Sequence, residues 1–145
     1  MGVLRSSASD VTTTANDPPP AVANVFSNYL RIEKALAKDS TEGLSAQARS
    51  IATWVKEDPS HTLAASVGQQ AEALAQAGTL PAARKAFKTL SASLIEFRSK
   101  HPQLIKVYRQ VHCPMADADW LQTEAVVNNP YYGKEMATCG EFVTP

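Results

Sequence analysis

From Ala21 onward the apolar residues Val22, Val25, Phe26, Tyr29, Ile32 and Leu36 recur at three- and four-residue spacing with polar residues between them. That period places them on one face of an amphipathic helix, and Pro20 suits its first turn, where a backbone donor has no partner anyway. A second stripe of Leu44, Ala48, Ile51, Ala52 and Val55 follows the Lys38-Asp39-Ser40 break and stops before Asp58-Pro59. A residue preceding proline is pushed out of the helical region, so the second helix is expected over 41–57.

Ser60 is expected to cap a third helix carrying Leu63, Val67, Ala71 and Leu74, with Gly78 closing it in the left-handed conformation. Its many alanines favour helix and let neighbouring helices approach. Thr79 is expected to cap a fourth helix, with Pro81 in the first turn, Ala83, Phe87, Leu90, Leu94 and Phe97 on one face, and His101-Pro102 at its end. Short links force such helices to run antiparallel to their neighbours. The fold expected is therefore all-α: an antiparallel up-down-up-down four-helix bundle with an irregular C-terminal segment packed on it. Tandem helical-hairpin repeats fit less well, because their Trp/Leu-Gly/Tyr spacing is absent.

Residues 1–20 have no hydrophobic period, are rich in Ser, Thr and Ala, and end in Pro18-Pro19-Pro20. They read as a disordered linker or an added N-terminus, leaving 21–145 as the one domain. At 145 residues and 44% apolar content a single core is expected. Fourteen basic residues balance fourteen acidic ones, which removes the electrostatic drive toward nucleic acid or an anionic membrane. No apolar run approaches the roughly 20 residues a spanning helix needs, so no membrane insertion is expected, and a monomer or weak dimer is the expected state.

The composition changes in the tail. After Pro102 the helical period fades, and residues 104–111 fit either an extended segment or a last helical turn. Both cysteines and two of the three methionines then fall between Cys113 and Cys139. Thiolate and thioether sulfur are soft donors that favour Cu(I) and similar ions over hard cations, so Cys113, Met115, Met136 and Cys139 form a chemically coherent ligand set, with His112 as an adjacent borderline ligand. Each sulfur pair can face one ion if the first lies on an extended or turned segment and the second on a helical turn. The competing reading is a Cys113–Cys139 disulfide that staples the tail, as expected of two cysteines in an oxidising compartment, with the methionines as gap-filling core residues. Trp120, Tyr131 and Tyr132 read as apolar bodies packed on the bundle, and 128–133 as a turn. No nucleophile with a base and an orienting third group is visible, so the reading is non-enzymatic.

The run Cys113-Pro114-Met115, Trp120-Leu121-Gln122, Asn129-Pro130-Tyr131-Tyr132-Gly133, Met136 and Cys139-Gly140 resembles the signature of the family of domains of unknown function numbered 3347. The resemblance spans about 30 residues. It implies an exported protein, either free-standing or the C-terminal extension of a copper/silver efflux adaptor, the membrane-fusion component of a tripartite pump. From it follow a periplasmic location, Cu(I) or Ag(I) as the bound ion, and efflux-pump components as partners.

Overall fold

The computed structural model describes residues 17–144, so most of the linker expected over 1–20 lies outside the described residues. Among the described residues there are four helices: α1 (Pro20–Ala37), α2 (Leu44–Glu57), α3 (Ala65–Ala75) and α4 (Leu80–Lys100). Three strands follow, β1 (Arg109–Cys113), β2 (Ala118–Gln122) and β3 (Glu141–Phe142), with a 3-10 turn at Gly133–Met136 before the last. The strands form one antiparallel sheet in the order β2-β1-β3. The fold is therefore α+β, which corrects the all-α expectation: the tail forms a small sheet against four helices instead of an irregular appendage.

The stripes of α1, α2 and α4 form helices where the periodicity places them, because each has a core to enter. Val22, Val25, Phe26, Tyr29, Ile32 and Leu36 of α1 are all buried, as are Leu44, Ala48 and Ile51 of α2 and Phe87, Leu90 and Leu94 of α4. Across the bundle α1 meets α4 through aromatic pairs. Tyr29 stacks on Phe87 with centroids 4.8 Å apart, and Phe26 lies 5.9 Å from Phe97. Gly68 of α3 lies against Val55 of α2, where an added Cβ would sit 3.4 Å from Val55 Cγ1.

Helix ends follow local hydrogen bonding, which confirms some caps and corrects others. Thr79 caps α4, its hydroxyl accepting from the Ala82 N–H, and Pro20 occupies the first position of α1. Ser60 does not cap α3. Its amide and hydroxyl donate to Asp58 Oδ1, while Thr62 N–H donates to Asp58 Oδ2, so Asp58 ties residues 58–62 into a turn and α3 starts only at Ala65. Gly78 does not take a positive φ; α3 ends at Ala75 and is capped by Gln76, whose N–H reaches the carbonyls of Glu72 and Ala73. The second helix starts at Leu44 rather than 41, behind a left-handed Gly43 (φ 77°).

The sheet docks on the helices through β2, in which Ala118, Trp120, Leu121 and Gln122 are buried. Consecutive strand residues point to opposite faces, so burial of both Trp120 and Leu121 means both faces of β2 are covered. At the open edge of β2, Leu121 N–H donates to the Tyr29 hydroxyl of α1 at 3.0 Å. Over the face that carries Trp120 the tail after Gln122 folds back: Tyr131 meets Trp120 edge-on at 5.8 Å, and a Cβ on Gly140 would sit 2.8 Å from Val111 Cγ1. Among the described residues no helix is long and apolar enough to cross a membrane.

Candidate thiol site

The 109–113 segment alternates, with Val111 and Cys113 buried and Gln110 and His112 partly exposed. Cys113 closes β1, pairs with Ala118 across the hairpin and opens the Pro114–Asp117 turn, in which Asp117 takes φ 50°. Cys139 arrives from the far end of the tail on a turn closed by its own N–H to Met136 O at 3.0 Å. An extended first cysteine and a turned second one bring the two Sγ atoms to 3.1 Å, both as free thiols.

The frame around this contact is built from the distinctive residues of the tail. Asn129 is fully buried; its Nδ2 donates to Cys139 O at 2.7 Å, and its Oδ1 accepts from Tyr131 N–H and Tyr132 N–H. Its backbone adds bonds to Ala137 O and from Gly133 N–H. Gln122, also buried, accepts from Trp120 Nε1 and Asn128 N–H and donates to Glu124 O and Val126 O. Tyr131 donates its hydroxyl proton to Asp119 O at 2.6 Å, and Tyr132 donates to Met115 O at 3.2 Å. Gly133 sits at φ 61° against Asp39 and Arg84, where Arg84 bonds Asp39 Oδ1, Leu36 O and Pro130 O at 2.7–2.8 Å. The buried side chains of Asn129 and Gln122 thus have their polar groups partnered, which burial demands.

The two thiols are not equivalent. Cys113 has no exposed surface, while Cys139 is partly exposed. Burial pushes the Cys113 thiol up, but hydrogen bonds from Cys139, Ala116 N–H, Asn129 and Met115 N–H outweigh it and hold the thiol below its ordinary value. Cys139 is pushed up, first by the hydrogen bond it makes to Cys113 and then by burial. The two shifts thus run in opposite directions, Cys113 downward and Cys139 upward.

The other expected ligands divide. Met115 lies on the turn directly after Cys113 and is 63% exposed, its N–H beside both sulfurs; Met136 is half-buried at the end of the 3-10 turn that carries Cys139. Neither fills the core, which removes the gap-filling role that accompanied the disulfide reading. His112 faces away from Cys113, as strand alternation requires, and its Nδ1 pairs with Asp119 Oδ1 at 2.7 Å, with Gln110 Nε2 on Asp119 Oδ2. The Asp119 hydrogen bond raises its pKa. Among the described residues no three His, Cys, Asp or Glu side chains converge as a metal-binding group.

Sequence reasoning missed the role of Asn129, taken only as part of a turn. An asparagine followed by Pro-Tyr-Tyr-Gly offers a side chain that bonds the backbone two and three residues on, and that pattern was the available signal. It also missed Glu33, which sits on the buried face of α1 with both carboxyl oxygens unpartnered. No family model, curated protein or solved structure matches the chain.

Proposed function

We propose that this domain binds a soft monovalent metal ion, Cu(I) or Ag(I), on the Cys113–Cys139 pair, and that it serves metal handling by an efflux system in the periplasm. The observation that carries the reading is the 3.1 Å contact between two free thiols drawn from opposite ends of the tail. Soft ions accept few thiolate or thioether ligands, whereas structural Zn(II) takes four ligands and Ca(II) six or more oxygens. A pair of thiols without a third acidic or imidazole partner matches the first class.

The donor set fits such an ion on its chemistry. Cys113, already biased toward thiolate, supplies a fixed buried donor; Cys139 releases its proton on binding, as metal ligation requires. Met115, exposed on the adjoining turn, supplies a solvent-facing thioether for capture or release, and Met136 a second one beside Cys139. His112, held by Asp119 on the other face, takes no part in this set. The setting, a periplasmic efflux partner, rests on the resemblance of residues 113–140.

Competition with a chromophoric Cu(I) chelator tests the reading on reduced protein. Wild type is expected to withdraw the ion, Cys113→Ser and Cys139→Ser to lose most of the affinity, Met115→Leu and Met136→Leu to weaken it, and His112→Ala to leave it unchanged. No competition by wild type, or equal competition by the cysteine variants, overturns it. The alternative, a structural or interaction module whose Cys113–Cys139 disulfide staples the tail, draws on the same sulfur contact and predicts two missing thiols in protein purified without reductant.

A further inference from the structure

The two sulfurs touch each other, yet Cys113 is fully buried while Cys139 is partly exposed. Cys113 Sγ is enclosed by the Cys139 sulfur, the Ala116 N–H at 3.3 Å and the buried Asn129 that spans from the 129–132 turn to Cys139 O. Cys139 sits at the rim of this enclosure, on a turn near the C-terminal edge strand, with part of its surface exposed. A reagent too large to enter the sheet–tail interface therefore meets Cys139 and not Cys113.

We infer that Cys139 is a site of thiol–disulfide exchange with a small-molecule disulfide, and that Cys113 is the internal thiol that resolves the adduct. The inference rests on the contact and unequal exposure of the two thiols and holds with or without a metal function.

The chemistry balances in two displacements. Cys139, the thiol that the reagent can reach, loses its proton to solvent and attacks one sulfur of the external disulfide, forming a Cys139 mixed disulfide and expelling one thiolate of the reagent. The Cys113 thiolate then attacks the Cys139 sulfur, forming the Cys113–Cys139 bond and expelling the second thiolate. Two protein thiols lose two electrons and two protons; the external disulfide gains both electrons and leaves as two thiols. Forming a bond of about 2.05 Å requires the sulfurs to close by roughly 1 Å from their present contact. The closed bond ties the end of β1 to the turn before β3 and, by consuming both thiols, removes the sulfur pair as a donor set.

Glutathione disulfide is the probe, read by intact mass and by mapping of the modified peptide. Cys113→Ser is expected to accumulate one glutathionyl group on Cys139, because no resolving thiol remains. Cys139→Ser is expected to react roughly tenfold or more slowly, because the remaining thiol is enclosed. Wild type is expected to pass to a species lighter by two hydrogens, releasing two glutathione molecules without a lasting adduct. Brief iodoacetamide labelling of native wild-type protein needs no substitution and is expected to mark Cys139 before Cys113. Equal reaction of the two single-cysteine variants, a stable wild-type adduct, or labelling of Cys113 first each overturns the inference.

Discussion

The Tyr29 hydroxyl accepts the backbone N–H of Leu121 at 3.0 Å and thereby fastens the first helix to the second strand across most of the chain. The same oxygen lies 2.7 Å from Ser91 Oγ on α4, so a single buried atom joins two helices and the sheet. Burial holds the phenol far above its ordinary pKa, keeping it a neutral hydroxyl able to both donate and accept.

Tyr29→Phe keeps the ring stacked on Phe87 but leaves Leu121 N–H, and the Ser91 hydroxyl beside it, without this partner. An unsatisfied buried donor costs about 1–3 kcal/mol, so the variant should unfold in urea with a free energy lower by about 2 kcal/mol and an unchanged far-UV spectrum. Stability equal to wild type would show that the hydroxyl does not join the layers.

Gly133→Ala should be destabilising beyond its small change in volume. The residue stands at φ 61°, where a side chain costs roughly 1 kcal/mol, and the added Cβ would collide with the Asp39 carboxylate and the Arg84 guanidinium. Moving those groups strains the bonds from Arg84 to Leu36 O and Pro130 O that hold the tail on α1 and α4. Thermal denaturation is the check, and a melting temperature unchanged from wild type contradicts the account.

Glu33 gives the fold a pH dependence of defined sign. Burial first, then the nearby Glu124 charge, push its pKa up to about 9 against a modest opposing effect of Lys34; Tyr29 and Tyr131 are the other titratable groups close enough to feel it. The folded state thus holds a proton that the unfolded chain releases near 4.5. Its contribution is fully present below about 4.5 and is lost as pH rises toward about 9, with a slope approaching about 1.4 kcal/mol per pH unit in between. His112, raised by Asp119, adds a loss of the same sign, so the comparison is made between wild type and Glu33→Gln. The difference in urea midpoint between pH 5 and 9 should shrink markedly in the variant. An identical pH profile for the two proteins would mean that Glu33 does not carry the proton.

Asn129→Ala removes the side-chain bonds to Cys139 O, Tyr131 N–H and Tyr132 N–H at one stroke. A loss on the order of 3 kcal/mol is expected from the backbone groups left unpaired. The turn bearing Cys139 should also loosen from Cys113, so native-state alkylation of Cys113 should accelerate at denaturant concentrations where the protein remains folded. Unaltered Cys113 labelling would separate Asn129 from the thiol site.

The helices were legible in the amino-acid sequence because their determinants are local. The stripes of α1, α2 and α4 repeat at helical spacing within one segment, and Thr79 caps a helix whose first turn it immediately precedes. Composition also names Cys113, Met115, Met136 and Cys139 as soft donors, a property they have wherever they lie. Where a local competitor intervened the reading failed: Asp58 captured Ser60, and the third helix lost its expected first turn.

Tertiary structure decided the rest. The strands have at most five residues and one consists of two; β1 alternates polar with apolar side chains, but β2 sets Trp120 beside Leu121 and buries Gln122, too weak a pattern to declare a sheet. β3 exists only because Glu141 and Phe142 find His112 and Val111 some thirty residues earlier. Which sulfurs meet was settled the same way. Strand alternation turns His112 away from Cys113, the turn after β1 leaves Met115 in solvent, and Asn129 draws Cys139 onto Cys113. A sequence lists donors, but contacts between distant segments arise only when burial of Trp120, Leu121 and Tyr29 repays the entropy of closing the loops between them.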